Sequence, residues 1–402
     1  MNTNKLIILG NGFDLASTLE STYKHFFSKR IDKNIEEQLD DALTCFKQQM
    51  VNSSYFGYDT LFKVKEPKHD DQERRTMQYL YETRDFDVYE TKDHDVYEII
   101  KKSNLTFWDL IFYYSGGKEK DLQWQDVEQK MLEFFCSEDE NANFPNLAMI
   151  KSLLRGSFYK VNPETLLCLH LASFLPNRGE YERENLVNYL YDELKTFEHC
   201  FAEYLNNIIT DSYKRKAAEL LLKMTNATSL PNISDTIFSF NYTYPFKNIL
   251  KIINVHGTVE EGNIIFGIDQ EEIDPKLDIY RFTKTFRQMT ETKLAVTYQD
   301  NILPDKEAVD EIVFFGHSLS LLDYSYFQTI FDHYELYQSN IVLIFYYRVY
   351  GDKSKEDMEL DLAKKISKML HEYSPSIDNP KKGKNLLHKL ILEKRLIIKE
   401  VD

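Results

Sequence analysis

Hydrophobic positions in this chain follow two patterns that change along its length. Towards both ends they form short continuous apolar runs: Lys5–Leu9, Thr236–Phe240, Ile252–Val255, Asn263–Phe266, Glu311–Phe315, Asn340–Tyr346 and Arg395–Lys399. Runs of this length, bounded by turn residues, predict strands of a parallel sheet covered on both faces. Between about 20 and 230 the apolar spacing becomes helical, as in Trp124–Phe135, Asn185–Phe197 and Ala217–Met224. Asp352–Ser374 and Asn385–Lys394 read as further helices around a solvated turn at Asp378–Lys384, and residues 51–100 read as an irregular insert. The pattern predicts an α/β protein with a Rossmann-like parallel sheet of about six strands, interrupted by a large helical lobe. Residues 1–30 supply the first strand and helix, 31–230 the inserted lobe, and 231–402 the rest of the α/β domain.

Composition adds to this picture at a few points. The 27 Tyr and 27 Phe among 402 residues suit a helical lobe packed with large rings. A net charge of −16 argues against a broad nucleic-acid surface. The four cysteines (Cys45, Cys136, Cys168, Cys200) show no pairing spacing and fit buried thiols in a reducing compartment. No Cys/His metal signature occurs, and no metal ligand is assigned. The N-terminus carries no long apolar run, so neither a signal peptide nor a membrane span is expected, and the location expected is cytoplasmic.

Glycine is scarce, and its placement is informative. Only 13 residues are glycine, about half the usual share of roughly 7%. Gly10, Gly12, Gly257, Gly267 and Gly316 all lie at or just past predicted strand ends. The first strand runs into Gly10-Asn11-Gly12-Phe13-Asp14, a Gly-x-Gly turn entering a helix, where backbone N–H groups are aimed at a ligand. The third glycine of a dinucleotide fingerprint would fall at Leu15. Asp14 reads either as a helix cap or as a carboxylate that accepts ribose hydroxyls or orients a water. Asn241 and Thr243 follow the second strand, where α/β sheets bind ligands. Taken alone, Asn241 reads better as the cap of a helix at Pro245–Lys251.

His256-Gly257 ends the third strand. The histidine is either a titrating group at the crevice rim or a structural residue bonded to a backbone carbonyl. Gly316-His317-Ser318 follows the strand Glu311–Phe315, with Asp323 close behind. A serine-hydrolase elbow would need glycine where Ser320 stands, and Asp323 is too near the serine for that chain order. The turn instead suits phosphate binding by Ser318 and its N–H groups.

Taken in order, these blocks resemble the bacteriophage abortive infection AbiH family. The opening LIILGNGFDLA with Ser21–Phe26 resembles its N-terminal signature, and Trp124-Gln-Asp-Val-Glu128 an internal block. FNYT, VHGT, IIFGID and FFGHSLSLLDY resemble its later blocks. Where the family often has His-Gly-Leu, this chain has Ser17-Thr18-Leu19. The same order also resembles, more distantly, sirtuin-like NAD-consuming domains. That resemblance implies Asn241 and His256 beside the nicotinamide ribose, with Gly10, Gly12 and Ser318 at the phosphates. Asn11, Phe13, Thr243, Gly257, Gly316, His317 and Asp323 would complete the nucleotide pocket, with Asp14 at the reacting ribose. Sirtuin-like domains usually carry Asp where this chain has Thr243, and the zinc-binding cysteine pairs are missing.

The implied function is an antiphage effector that hydrolyses NAD to nicotinamide and ADP-ribose, with NAD as substrate and no tightly bound cofactor. A phage-derived trigger and a homo-oligomer are the partners this reading would add. The alternatives are a nucleotide-binding sensor without turnover, or a toxin acting on nucleic acid through lobe carboxylates such as Asp126 and Glu128. The i,i+2 spacing of that last pair places the two on different helix faces.

Overall fold

In a computed structural model, the residues described are 4–41, 44, 99–100, 102–114, 124–137, 147, 186–230, 234–246, 251–271, 273–292, 294 and 301–401. Six strands form one sheet: β1 Lys5–Leu9, β2 Thr236–Ser239, β3 Ile252–Asn254, β4 Glu311–Phe315, β5 Val342–Tyr347 and β6 Leu396–Glu400. All neighbours pair in parallel, in the order β3-β2-β1-β4-β5-β6. This is the doubly wound Rossmann order, whose direction of winding reverses between β1 and β4.

The apolar runs form central strands because both faces of the sheet are covered. Leu6 and Ile8 of β1 pack in one core with Phe238, Ile312, Phe314 and Phe345, under Phe327 and Phe331 of the helix Tyr324–His333. Ile7 and Leu9 point the opposite way, into a core with Ile237, Val313 and Phe315 under the helix Asp211–Thr225. Each such side chain, fully buried, contributes about 1.5–3 kcal/mol. The helix Lys355–Tyr373 begins at a capping box in which Ser354 and Asp357 bond reciprocally, and it adds Ile366, Met369 and Leu370 to the first core.

By contact the chain divides into Met1–Thr22 with Glu198–Asp402, and Tyr23–Phe197. Sequence spacing put helix Asp211–Thr225 in the inserted lobe; its buried face (Tyr213, Ala217, Leu220, Leu221, Met224) packs on the sheet instead. The described part of Tyr23–Phe197 is helical and ring-packed, with Trp108 stacked on Phe112 at 5.4 Å and Phe26 edge-on to Phe197 at 5.7 Å. Arg30 clamps the buried Asp109 carboxylate from Nε at 2.5 Å and Nη2 at 2.7 Å. The insert expected at 51–100 lies outside the described residues, apart from two helical residues at its end. Most of the helix expected at Pro245–Lys251 lies outside them as well.

One predicted strand is absent. Asn263–Phe266, with Ile264, Ile265 and Phe266 buried, joins no ladder. Its backbone is satisfied locally and by side chains: Ile265 N–H bonds His256 O at 3.0 Å, Ile265 O accepts from Tyr242 Oη at 2.9 Å, and Phe266 N–H bonds Glu198 Oε1 at 2.7 Å. Buried apolar sequence is compatible with this arrangement because the requirement is hydrogen-bond satisfaction, which a ladder is only one way to meet.

The turns after β1 and β4 interlock at the switch point. Gly10 N–H bonds Phe315 O at 3.0 Å, and Gly12 N–H bonds Gly316 O at 2.8 Å. A Cβ at Gly12 would lie 2.6 Å from Gly316 Cα, and one at Gly10 would lie 2.5 Å from His317 Cα. Backbone cannot yield there as a flexible side chain would. Gly12→Ala is therefore expected to destabilise the protein by about 1–3 kcal/mol, measured as a lowered urea midpoint. Gly262→Ala is the control: its φ is +65° with open space around it, so it should lose only the left-handed strain of about 1–2 kcal/mol.

Candidate active site

The carboxyl ends of β3, β2, β1 and β4 lie side by side, and all the sequence-predicted site residues follow them. The short helix Gly12–Ala16 starts directly after β1 and puts Asp14 in its first turn. Asp14 does not cap that helix. It is 2% exposed and its carboxylate is gripped by groups from elsewhere. Tyr213 Oη donates to Oδ1 at 2.7 Å and Asn241 Nδ2 donates to Oδ1 at 3.2 Å. Thr243 Oγ1 lies 2.9 Å from Oδ2 and also 2.9 Å from Tyr213 Oη. Position 243, where the sirtuin-like pattern has Asp, thus meets a carboxylate supplied by Asp14.

Burial drives the Asp14 pKa up to about 7; the bonds from Tyr213, Thr243 and Asn241 oppose that rise, and the charge of Glu260 adds to it. Beside the carboxylate is a cavity of about 10 Å³, lined by Asp14, Ser239, Asn241, Thr243, Tyr244 and Phe246 among others. That is room for about one water. Among the described residues, none bonds the buried Oδ1 of Asn241.

A second cluster follows β3 and β4. Asp323 pairs with Lys284 Nζ at 2.6 Å and faces His317 Nε2 at 3.5 Å. Lys284 also donates to Leu322 O at 3.2 Å. Burial alone would raise the Asp323 pKa, but Lys284 and the two histidines outweigh it and hold the group below its ordinary value. His317 Nδ1 accepts Leu319 N–H at 3.0 Å, which leaves Nε2 as the protonated nitrogen facing Asp323. His256 is 4% exposed, bonded to the Phe240 backbone and 3.4 Å from Tyr326 Oη. Burial pushes its pKa down to about 3 and that of His317 down to about 4. Both imidazoles are neutral at pH 7. The Phe240 ring packs edge-on against both, at 5.5 Å from His256 and 4.5 Å from His317.

The expected residues thus fall into two networks. Asp14, Asn241 and Thr243 meet each other; His256, His317 and Asp323 belong to the second cluster. Gly10, Gly12 and Gly316 are required by the interlocked turns, and the N–H groups of Gly10, Gly12 and Phe13 are bonded inside the protein rather than offered to a phosphate. The Phe13 ring is core, edge-on to Phe315 at 6.1 Å. Asn11 Oδ1 accepts Ser21 Oγ at 2.6 Å. Ser318 Oγ accepts Ser320 N–H at 3.3 Å in a local turn. Gly257 has φ +78° and packs on Asn263, where a Cβ would lie 2.1 Å from the carbonyl oxygen. Tyr213, Lys284 and Tyr326 were not foreseen. None stands in a local motif, and only tertiary packing brings them in.

Elsewhere, Glu128 is buried, while the Asp126 side chain lies outside the described residues. Cys200 is buried, as expected of the cysteines, whereas Cys136 is exposed. Among the described residues no group of three or more His, Cys, Asp or Glu is placed to hold a metal ion, and no helix is long and apolar enough to cross a membrane.

A six-stranded, all-parallel, doubly wound sheet in this strand order defines a Rossmann-like α/β protein. The family model described as bacteriophage abortive infection AbiH matches residues 6–346, and the chain belongs to that family. Its biological setting is phage abortive-infection defence. Comparisons with curated proteins and with solved structures find no match.

The two networks give stability opposite pH dependences. Asp14 releases its proton at about 7 in the folded chain against 3.8 for an ordinary Asp, so its contribution to stability is lost as pH rises across that window. His256 and His317 titrate at about 3 and 4 when folded against 6.5 ordinarily, so theirs is lost as pH falls below 6.5. Thermal unfolding is expected to show Asp14→Asn gaining on the wild type from pH 4 to 7, at up to about 1.4 kcal/mol per pH unit. His256→Gln should flatten the acid slope below pH 6.5.

Proposed function

We propose that this AbiH protein is a defence enzyme that hydrolyses the N-glycosidic bond of NAD, releasing nicotinamide and ADP-ribose. The observation that carries the reading is Asp14: a buried carboxyl group with a pKa near 7, just past the carboxyl end of β1, the strand that borders the switch point, beside a water-sized cavity shared with β2 and the segment after it. Ligands of such sheets bind outside the carboxyl ends of the strands at that point. A group that titrates at working pH is suited to taking a proton from water.

In the proposed reaction, water attacks C1′ of the nicotinamide ribose while the bond from C1′ to the ring nitrogen breaks. The bonding pair leaves with that nitrogen and cancels its positive charge, so the leaving group needs no strong acid. Asp14 takes the water proton, and as an anion it stabilises the positive charge developing on the ribose. Asn241 steadies Asp14 through Nδ2, and its unpartnered Oδ1 accepts from the water or a ribose hydroxyl. His256, expected from sequence as the base, is a weak proton acceptor in its buried setting, and Asp14 takes that role. His256 then acts as part of the crevice wall with Phe240 and Tyr326. NAD is the substrate, and the reaction needs no resident cofactor.

A second reading, a nucleotide-binding sensor without turnover, is favoured by the burial of His256 with hydrogen bonds on its ring. Incubating the full chain with NAD, NADP and ATP, with and without extract of phage-infected cells, and resolving products by mass separates the two. Nicotinamide and ADP-ribose are expected, with Asp14→Asn slowing their release by about 10²–10⁴-fold. NAD binding without product, extract present, would establish the sensor; neither binding nor product would overturn both readings.

A further inference from the structure

Three donors converge on Asp14, and one of them comes from outside every strand-end motif. Tyr213 sits in the first turn of helix Asp211–Thr225, where the Thr210 side chain accepts its backbone N–H at 3.2 Å and fixes the start of the helix. The Tyr213 side chain is 1% exposed. Its hydroxyl reaches both Asp14 Oδ1, at 2.7 Å, and Thr243 Oγ1, at 2.9 Å. The sheet contributes only one edge of this triangle, and the helix supplies the group that closes it.

We propose that Tyr213 is a positioning residue for Asp14, holding the carboxylate in one rotamer against Thr243 and tuning its hold on a proton. The proposal rests on the reading of Asp14 as the proton acceptor in glycosidic hydrolysis, and it adds a residue that neither the sequence motifs nor the family assignment supplies. The geometry supports it in two ways. A hydroxyl donating to a carboxylate favours the ionised form, so Tyr213 offsets part of the desolvation that burial imposes on Asp14. A hydroxyl shared by Asp14 and Thr243 also fixes where the second carboxylate oxygen lies, because Thr243 spans both oxygens at 3.1 and 2.9 Å.

Few other groups act on this carboxylate. From the segment after β2 they are Asn241 and Thr243, with Tyr244 lining the same cavity. From the turn after β3 it is the charge of Glu260, which raises the Asp14 pKa. On helix Asp211–Thr225, Lys216 is directed to Thr18 Oγ1 at 3.1 Å, in the turn that follows Asp14's own helix. Tyr213 is thus the group on that helix that bonds Asp14 directly.

The test reads the proton itself. Full-length protein with ¹³C-carboxyl-labelled aspartate is titrated from pH 4.5 to 9 by NMR, with the Asp14 signal identified by its loss in Asp14→Asn. Tyr213→Phe is expected to raise the Asp14 midpoint by about one unit, a tenfold tighter hold on the proton. Thr243→Val should raise it in the same sense, and Thr243→Ser should return it to the wild-type value. If Tyr213→Phe fails to fold, the valine and serine pair at 243 still reads the triangle. An Asp14 midpoint unmoved, to within about 0.3 units, in every folded variant overturns the proposal. Absence of NAD turnover in the wild type would overturn the enzymatic reading and leave this titration intact. Where turnover occurs, the acid limb of kcat should move up with the midpoint; a variant that lowers kcat equally at all pH values with no change in midpoint makes Tyr213 merely structural.

Discussion

An ionised carboxylate removed from water costs several kcal/mol unless partners replace the lost hydration. Asp14 is buried in that way, and among the described residues its carboxylate is bonded by Tyr213, Asn241 and Thr243 and by no cation. Its partners lie 199, 227 and 229 residues away in sequence, in the helix after the inserted region and in the segment after β2. The first strand and the late strands must therefore come together before this side chain is satisfied. The interaction links the two ends of a split domain and is directional where the flanking apolar contacts are not. An apolar contact there would tolerate some slippage, whereas a buried carboxylate with three directional donors tolerates little.

Asp323 shows the opposite solution within the same sheet. It too is buried, but Lys284 pairs with it and its pKa falls below the ordinary value, while that of Asp14 rises. Two aspartates at adjacent strand ends are thus driven apart by their surroundings, the arrangement that separates proton-transfer roles in enzymes generally. The lysine keeps Asp323 charged across the working range, which suits a brace for the Gly316–Ser320 turn. Asp14 changes charge within that range, which suits chemistry. The turns carrying the two meet where Gly10 faces His317 and Gly12 faces Gly316.

Much of this fold was legible in the sequence because strands buried on both faces must be continuously apolar. β1, β2, β4 and β5 all announce themselves that way. Asn263–Phe266 carries the same signature for a different reason: it is buried against Tyr242 and Glu198, whose side chains take over the bonds a neighbouring strand would make. Apolar patterning reports burial and is silent about what satisfies the backbone. The glycines are a parallel case. Gly10, Gly12 and Gly316 read from sequence as strand-end turns open to a ligand, while the contact that requires them, two backbones against each other, depends on a partner turn far away in sequence. Tyr213 carried no signal, since a tyrosine on the apolar face of a helix looks like core until the carboxylate it meets is known.

Gly10–Asp14 does two jobs that a motif search merges into one. The glycines let β1 and β4 close at the switch point, and the abrupt start of the helix at Gly12 delivers a carboxylate two residues later, within reach of the β2 end. Asn241 then has one face committed to Asp14 and an amide oxygen left without a partner in the interior. Buried acceptors without donors are rare and costly, and those that persist call for a water, a ligand or a functional role to account for them. Here the acceptor belongs to a residue that lines the same water-sized cavity as the carboxyl group titrating near neutrality. The stability given up at Asn241 and the stability given up at Asp14 are spent in one place, and that coincidence ties the energetics of this fold to the chemistry proposed for it.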